Sequence, residues 1–77
     1  MVIGYVLITI ETAREREVFR SLSKLPEIVE LHPLFGEYDF IAKIKADDFD
    51  SLGIMVVKKI RSIDGVRFTT TLTGTMF

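Results

Sequence analysis

Leu22-Ser23-Lys24-Leu25-Pro26-Glu27-Ile28 and Ile60-Arg61-Ser62-Ile63-Asp64-Gly65-Val66 carry one pattern twice. In each, apolar residues fall at the first, fourth and seventh places. Pro26 or Gly65 stops a helix in between, and an apolar run that reads as a strand follows. In the same register Leu34-Phe35-Gly36 parallels Leu72-Thr73-Gly74. A short chain that passes twice from helix to strand in this way is built of two βαβ halves.

Working outward from the two copies fills in the rest. Val2 to Ile10 is rich in Val, Ile, Tyr and Thr and reads as the first strand. Thr12 is placed to open a helix, with Glu15 three residues on completing a capping box. Val18, Phe19, Leu22 and Leu25 hold helical spacing there, while Arg14, Arg16, Glu17, Arg20 and Lys24 stay outside. Ile28 to Leu34 is the second strand, and Pro33, which cannot donate to a ladder, assigns it to a sheet edge. Tyr38 to Ala46 is the third. Asp47 or Asp48 caps a second helix with Phe49, Leu52, Val56, Ile60 and Ile63 on one stripe, ended by Asp64-Gly65. Val66 to Thr73 is the fourth strand, and the last few residues are expected to be loose.

The order βαββαβ predicts an α+β, ferredoxin-like fold, a four-stranded antiparallel sheet with two helices on one face. The other face is then a problem. Strand one sets Ile3, Tyr5 and Leu7 against Val6, Ile8 and Ile10, and strand three sets Ile41 against Phe40, Ala42 and Ile44. Both faces carry large apolar groups, so the open face is expected to pack on the same face of a second copy.

Composition limits the function. Seventy-seven residues make one domain, 1–77, that buries only about 60% of its unfolded surface. Hydrophobic residues are 48% of the chain, mean hydropathy is +0.32, and there is no cysteine for a disulfide or thiolate site. Oligomerisation is then the expected source of extra stability. Net charge is −1, from 10 basic and 11 acidic residues, which lacks the basic excess of a nucleic-acid binder. No apolar run approaches the ~18 residues of a membrane span. Residues 1–10 lack the basic start and cleavage site of a signal peptide, so the reading is cytoplasmic.

Two features point to a ligand. In Gly36-Glu37-Tyr38-Asp39, glycine supplies a positive φ, and two carboxylates and a phenol lie beside loop amides. Such a loop suits the ammonium and carboxylate of a small zwitterion, and serves equally as a plain hairpin turn. Asp39 stands where a strand has begun and aspartate is a poor strand former, so it either caps backbone amides or serves a ligand. In the last strand Thr69, Thr71 and Thr73 follow Arg67 on one face, with Thr70 opposite. They form either a hydroxyl row or ordinary cross-strand packing. His32 is the only histidine and lacks the spacing of a metal site. Neither a catalytic triad pattern nor a phosphate-binding glycine loop is present.

These residues resemble a known family. Gly4-Tyr5-Val6-Leu7-Ile8 is similar to the first strand of the RAM domain (regulation of amino acid metabolism), the effector-binding domain of Lrp/AsnC transcriptional regulators. Gly36 to Ile44 is similar to that domain's Gly-x-Tyr-Asp signature and the strand after it. Ile60 to Val66 with Thr69-Thr70-Thr71 is similar to its final helix-turn-strand. The resemblance implies an amino acid effector held between dimers, with Gly36, Glu37, Tyr38 and Asp39 on its main-chain groups and Thr69, Thr71, Leu72 and Thr73 as the neighbouring wall. It implies dimers paired through their sheets, assembled into octamers or decamers. The first strand starts at Val2, directly after Met1, with no helix-turn-helix before it. The expectation is therefore a stand-alone RAM protein without a DNA reader, acting through self-assembly or through full-length Lrp/AsnC regulators. The resemblance implies no enzyme activity, no cofactor and no metal.

Other readings of the same architecture are a small dimeric α+β barrel enzyme of the monooxygenase or isomerase kind, an ACT-like domain, and a purely structural oligomerisation module. The enzymes use pockets lined by His, Asn or Trp, and this chain has one His, no Asn and no Trp. An ACT-like domain places its ligand glycine after the first strand, where Glu11-Thr12-Ala13 has none.

Overall fold

Residues 1–74 are described by the computed structural model of the chain. Strand β1 (Val2–Ile10) leads to helix α1 (Glu15–Ser23), then strands β2 (Ile28–Pro33) and β3 (Phe40–Ala46). Helix α2 (Phe49–Met55) runs on into a π-helical segment (Val56–Ile60), and strand β4 (Val66–Thr73) follows. All strand pairs are antiparallel, in the order β2-β3-β1-β4. The expected βαββαβ order holds, and β2, with Pro33, is an edge strand.

The repeated heptapeptide is repeated in hydrogen bonds as well. Leu25 N donates to Leu22 O and Ile63 N to Ile60 O, each at 3.1 Å. Ile28 N then donates to Leu25 O at 3.1 Å and Val66 N to Ile63 O at 3.2 Å. Leu22 and Ile60 are fully buried. One residue later the equivalence continues in the sheet. Val29 is an extra residue between Ile28↔Ile44 and Glu30↔Lys43, and Arg67 is extra between Val66↔Ile10 and Phe68↔Thr9. Each bulge resets the side-chain alternation of its strand. It lets Ile28 and Val66 face the helices while Glu30 and Phe68 face the other way.

The core lies between the helices and one face of the sheet. It joins Val6, Ile8 and Ile10 of β1 and Phe40, Ala42 and Ile44 of β3 to Val18 and Leu22 of α1. Leu52, Met55, Val56 and Ile60 complete it from α2 and its π segment. Across the sheet, Tyr5 pairs with Lys43 and Leu72, Leu7 with Ile41 and Thr70, and Thr9 with Phe68. No helix covers these. Phe68 is 64% exposed, Leu72 49% and Tyr5 39%, so the uncovered face is apolar at its β1–β4 side.

Several boundaries differ from the sequence reading. Helix α1 starts at Glu15, and Thr12 caps nothing, because Ala13 takes φ 70° and turns the chain before the helix begins. The capping box is not formed: Glu15 Oε1 accepts from Ala13 N at 3.3 Å and not from the Thr12 amide. Strand β2 ends one residue early, at Pro33, and β3 starts at Phe40, because Leu34 N donates to Asp39 O at 2.8 Å and closes the loop there. Of the two candidates for the cap of α2 it is Asp48 that serves, its Oδ1 accepting from Ser51 N at 2.7 Å. Phe49 is exposed rather than on the core stripe, its place taken by Met55. The π segment, marked by Arg61 N donating to Val56 O at 2.9 Å, keeps both Val56 and Ile60 inside. The expected looseness of the last residues concerns residues 75–77, outside those described.

Candidate functional site

The loop Leu34–Asp39 is fixed at its root and open at its tip. Gly36 has φ 136°, a left-handed conformation that glycine alone adopts without strain. A Cβ there would meet nothing within 4 Å, so the glycine serves the turn and not a close approach. Asp39 does the fixing. Its N donates to Ile8 O at 2.9 Å, and its Oδ2 accepts from Ile10 N at 2.7 Å. The carboxylate thus satisfies the amide of a buried residue at the end of β1, a capping bond to a distant strand rather than the local one that was among its expected roles. Oδ1 makes no hydrogen bond within the described residues. Tyr38 is half-buried and Glu37 exposed.

The threonine row is on one face, as expected. Thr69, Thr71 and Thr73 pair with Ile8, Val6 and Gly4, on the helix side of the sheet. Leu72 does not share that wall. It pairs with Tyr5 and faces the uncovered side, since alternation along a strand separates it from its neighbours. Only Thr69 of the three is half-buried, and none of their hydroxyls makes a hydrogen bond within the described residues.

Within one chain these two groups do not meet. Asp39 and Thr69 flank Ile8 from opposite sides of β1, about 10 Å apart by strand spacing. Thr73 is four residues further along, beside Gly4, about 13 Å down the strand.

His32 lies exposed on the edge strand, 3.2 Å from Glu30 Oε1. The hydrogen bond with His32, and then Lys43 at 3.3 Å, hold the Glu30 carboxyl below its ordinary range. Among the described residues no group of His, Asp and Glu is arranged to hold a metal ion. Among the described residues no helix is long and apolar enough to cross a membrane. The Arg14–Glu17 stretch is more than a solvated face. Arg14 donates to Glu17 Oε2 and to Asp64 Oδ2, each at 3.0 Å, tying the start of α1 to the turn before β4.

One feature of the loop is missed when its polar residues are read alone. Phe35, at the tip, is fully exposed. At the root of the same hairpin lies a shallow, largely apolar groove of about 540 Å³, lined by Glu15, Arg16, Phe19, Pro33 and Phe40. The sequence signal for it is Leu34-Phe35 immediately before a turn glycine, where polar residues are the rule.

Comparison with known proteins agrees with this architecture. The sequence profile described as the Lrp/AsnC ligand binding domain matches residues 4–73. The HTH-type transcriptional regulator FL11 of Pyrococcus furiosus is 32% identical over 71 residues, 92% of this chain and 46% of the relative. The chain spans less than half the length of the curated relatives it matches. Among solved structures, FFRP-DM1 superposes with a TM-score of 0.92 at 32% identity, covering 97% of this chain and 100% of that one. TTHA0845 from Thermus thermophilus gives 0.92 at 28% identity, covering 100% and 96%. The fold is also that of the NMB0573/L-Met complex, a transcriptional regulator from Neisseria meningitidis, with a TM-score of 0.87 at 23% identity over 97% of this chain and 50% of that one.

Proposed function

The chain belongs to the Lrp/AsnC ligand-binding domain family, and from that premise we propose that it is an amino-acid-binding regulatory module. The effector is a small amino acid held between dimers. Gly36, Glu37, Tyr38 and Asp39 of one copy take its main-chain groups, and Thr69, Thr71 and Thr73 of another form the wall. Leu72 belongs to the sheet face and drops out of that wall. Binding favours the assembly in which the composite site is complete, by as much as its affinity differs between assembly states. The output passes through self-assembly or through a full-length regulator of the same family.

The observation that carries this reading is the separation of the two groups along β1. The loop anchored by Asp39 and the far end of the threonine row do not adjoin within one chain, which supports a site completed by a second copy. The free Oδ1 of Asp39 and the exposed Glu37 carboxylate supply charge for an ammonium, and the loop amides around Gly36 supply donors for a carboxylate. The L-Met complex of the Neisseria protein supports the ligand class.

A thermal-shift series against the twenty amino acids tests it. A specific ligand at a hundred times its Kd adds about 2.7 kcal/mol, which in a domain of this size raises Tm by about 10 °C or more. A shift with one amino acid or a few names the effector class. If all twenty leave Tm unchanged, the amino-acid reading is wrong and a purely structural module takes its place.

A further inference from the structure

Helix α2 is apolar on two sides. Leu52, Met55, Val56 and Ile60 of the helix and its π segment face the core, while Phe49, Ile54 and Val57 point outward and are each more than half exposed. A helix that is apolar all round belongs inside a larger body. Helix α1 does not share this feature, since its exposed residues Arg16, Glu17 and Arg20 are charged. With Asp50, Gly53 and Lys58, the three outward residues of α2 line a shallow, largely apolar groove of about 440 Å³.

Gly53 is not explained by its own chain. It lies inside the helix, where glycine is a poorer choice than alanine. A Cβ there would meet nothing within 4 Å, so no neighbour in the fold demands its absence. What the glycine does leave is a notch between Phe49 and Val57, open to a side chain from outside.

The six positions form two rows at four-residue spacing, Phe49-Gly53-Val57 and Asp50-Ile54-Lys58. The second row has an acid at one end and a base at the other. Neither makes an ion pair within the described residues. Turned antiparallel about an axis near Gly53 and Ile54, this face is complementary to itself. Ile54 of each copy meets the notch of the other, Phe49 meets Val57, and Asp50 meets Lys58. A parallel pairing brings like charges together instead.

We propose that the outward face of α2 is a self-association surface, covered by the same face of a second copy in antiparallel orientation. The contact is isologous and is distinct from the uncovered sheet face, so it links sheet-paired dimers to one another. Three half-exposed side chains and their charged ends offer less than the about 800 Å² per partner of a stable interface. The contact is therefore the weaker of the two and forms at high protein concentration. It shares no residue with the loop and the threonines assigned to the effector, and it is tested in ligand-free protein, so the two readings fail separately.

Charge reversal tests it in the complete chain. Asp50→Lys sets a lysine against Lys58 of the other copy, and Lys58→Asp sets an aspartate against Asp50. Both positions are exposed. The weight-average mass from light scattering is expected to rise with concentration in the parent and to stay at a lower plateau in either variant alone. In an equimolar mixture of the two variants it is expected to rise again, because both charge pairs are restored across copies. Gly53→Leu, which fills the notch without touching its own chain, is expected to hold the mass at the lower plateau. A parent mass that never exceeds that of Gly53→Leu overturns the contact. So does a mixture of the charge variants that stays at the mass of either one alone.

Discussion

Asp39 illustrates how one side chain serves fold and ligand together. Its Oδ2 is the partner of the Ile10 amide, and Ile10 is buried. Alanine there leaves that amide unpaired, at a cost of about 1–3 kcal/mol. Asparagine keeps an acceptor oxygen and loses only the charge. Asp39→Ala is therefore expected to lower the stability measured by urea unfolding, while Asp39→Asn stays near the parent and loses the thermal response to the effector. If Asn and Ala destabilise equally, the carboxylate is not acting as a simple acceptor. Gly65 gives a second residue-scale test. It has φ 104°, and a Cβ there would lie 2.8 Å from Val18 Cγ2. Backbone strain of this kind costs about 1–3 kcal/mol, and the clash adds to it. Gly65→Ala should unfold at clearly lower urea than the parent, and an unchanged midpoint would mean that the turn relaxes freely. The need for glycine at positions 36 and 65 is visible in the sequence as turn chemistry. The Asp39–Ile10 bond is not, because its partners are 29 residues apart and nothing local marks them.

At the level of elements, the parts dictated by periodicity were legible and the parts dictated by single-residue insertions were not. The repeated heptapeptide, the alternation of β1 and the Asp48 cap all follow from local rules. The bulges at Val29 and Arg67 and the π segment each shift the phase of their element by one residue, Ala13 turns the chain with a left-handed φ, and no local residue pattern marks any of them. Phe49 differs from its expected place: it is the first residue of α2 and is exposed, while Met55 at the end of the same helix is in the core. Junctions between elements are also where the acidic groups work. Glu27, at the entry to β2, accepts from Lys59 of the π segment. That bond holds its carboxyl below the ordinary range. Asp48 is lowered by the Ser51 amide it caps, and Glu30 by its hydrogen bond with His32 and then by Lys43. A carboxyl whose pKa is lower in the folded than in the unfolded chain stabilises the fold above its unfolded value, and that contribution is lost as pH falls through the folded one. Stability is thus expected to be flat from pH 7 to about pH 5 and to decline below about pH 4. Glu27→Gln should flatten part of that decline in denaturant titrations at pH 7 and pH 3. If the variant keeps the full decline, the Glu27–Lys59 link contributes nothing to it.

For the whole molecule the governing fact is that one side of a four-stranded sheet has no helices on it. Phe68, Leu72 and Tyr5 stand on that side with Ile3 and Leu7, and the Glu30–Lys43 ion pair lies toward the β2 edge. An apolar patch with a charged margin on one flat face is the form of a self-associating surface. Two copies related by a two-fold axis bury the same residues twice. Removing most of one large apolar side chain forfeits about 1.5 kcal/mol or more, and a two-fold interface forfeits it from both copies. Phe68→Ala is therefore expected to weaken the sheet-paired dimer by about 3 kcal/mol, on the order of a hundredfold in Kd. Sedimentation equilibrium across a dilution series measures it. The shift should appear in the monomer–dimer step. If Phe68→Ala leaves the monomer–dimer equilibrium where it was, the uncovered face is not the dimer interface. The composite amino-acid site then has to be built from whatever contact replaces it.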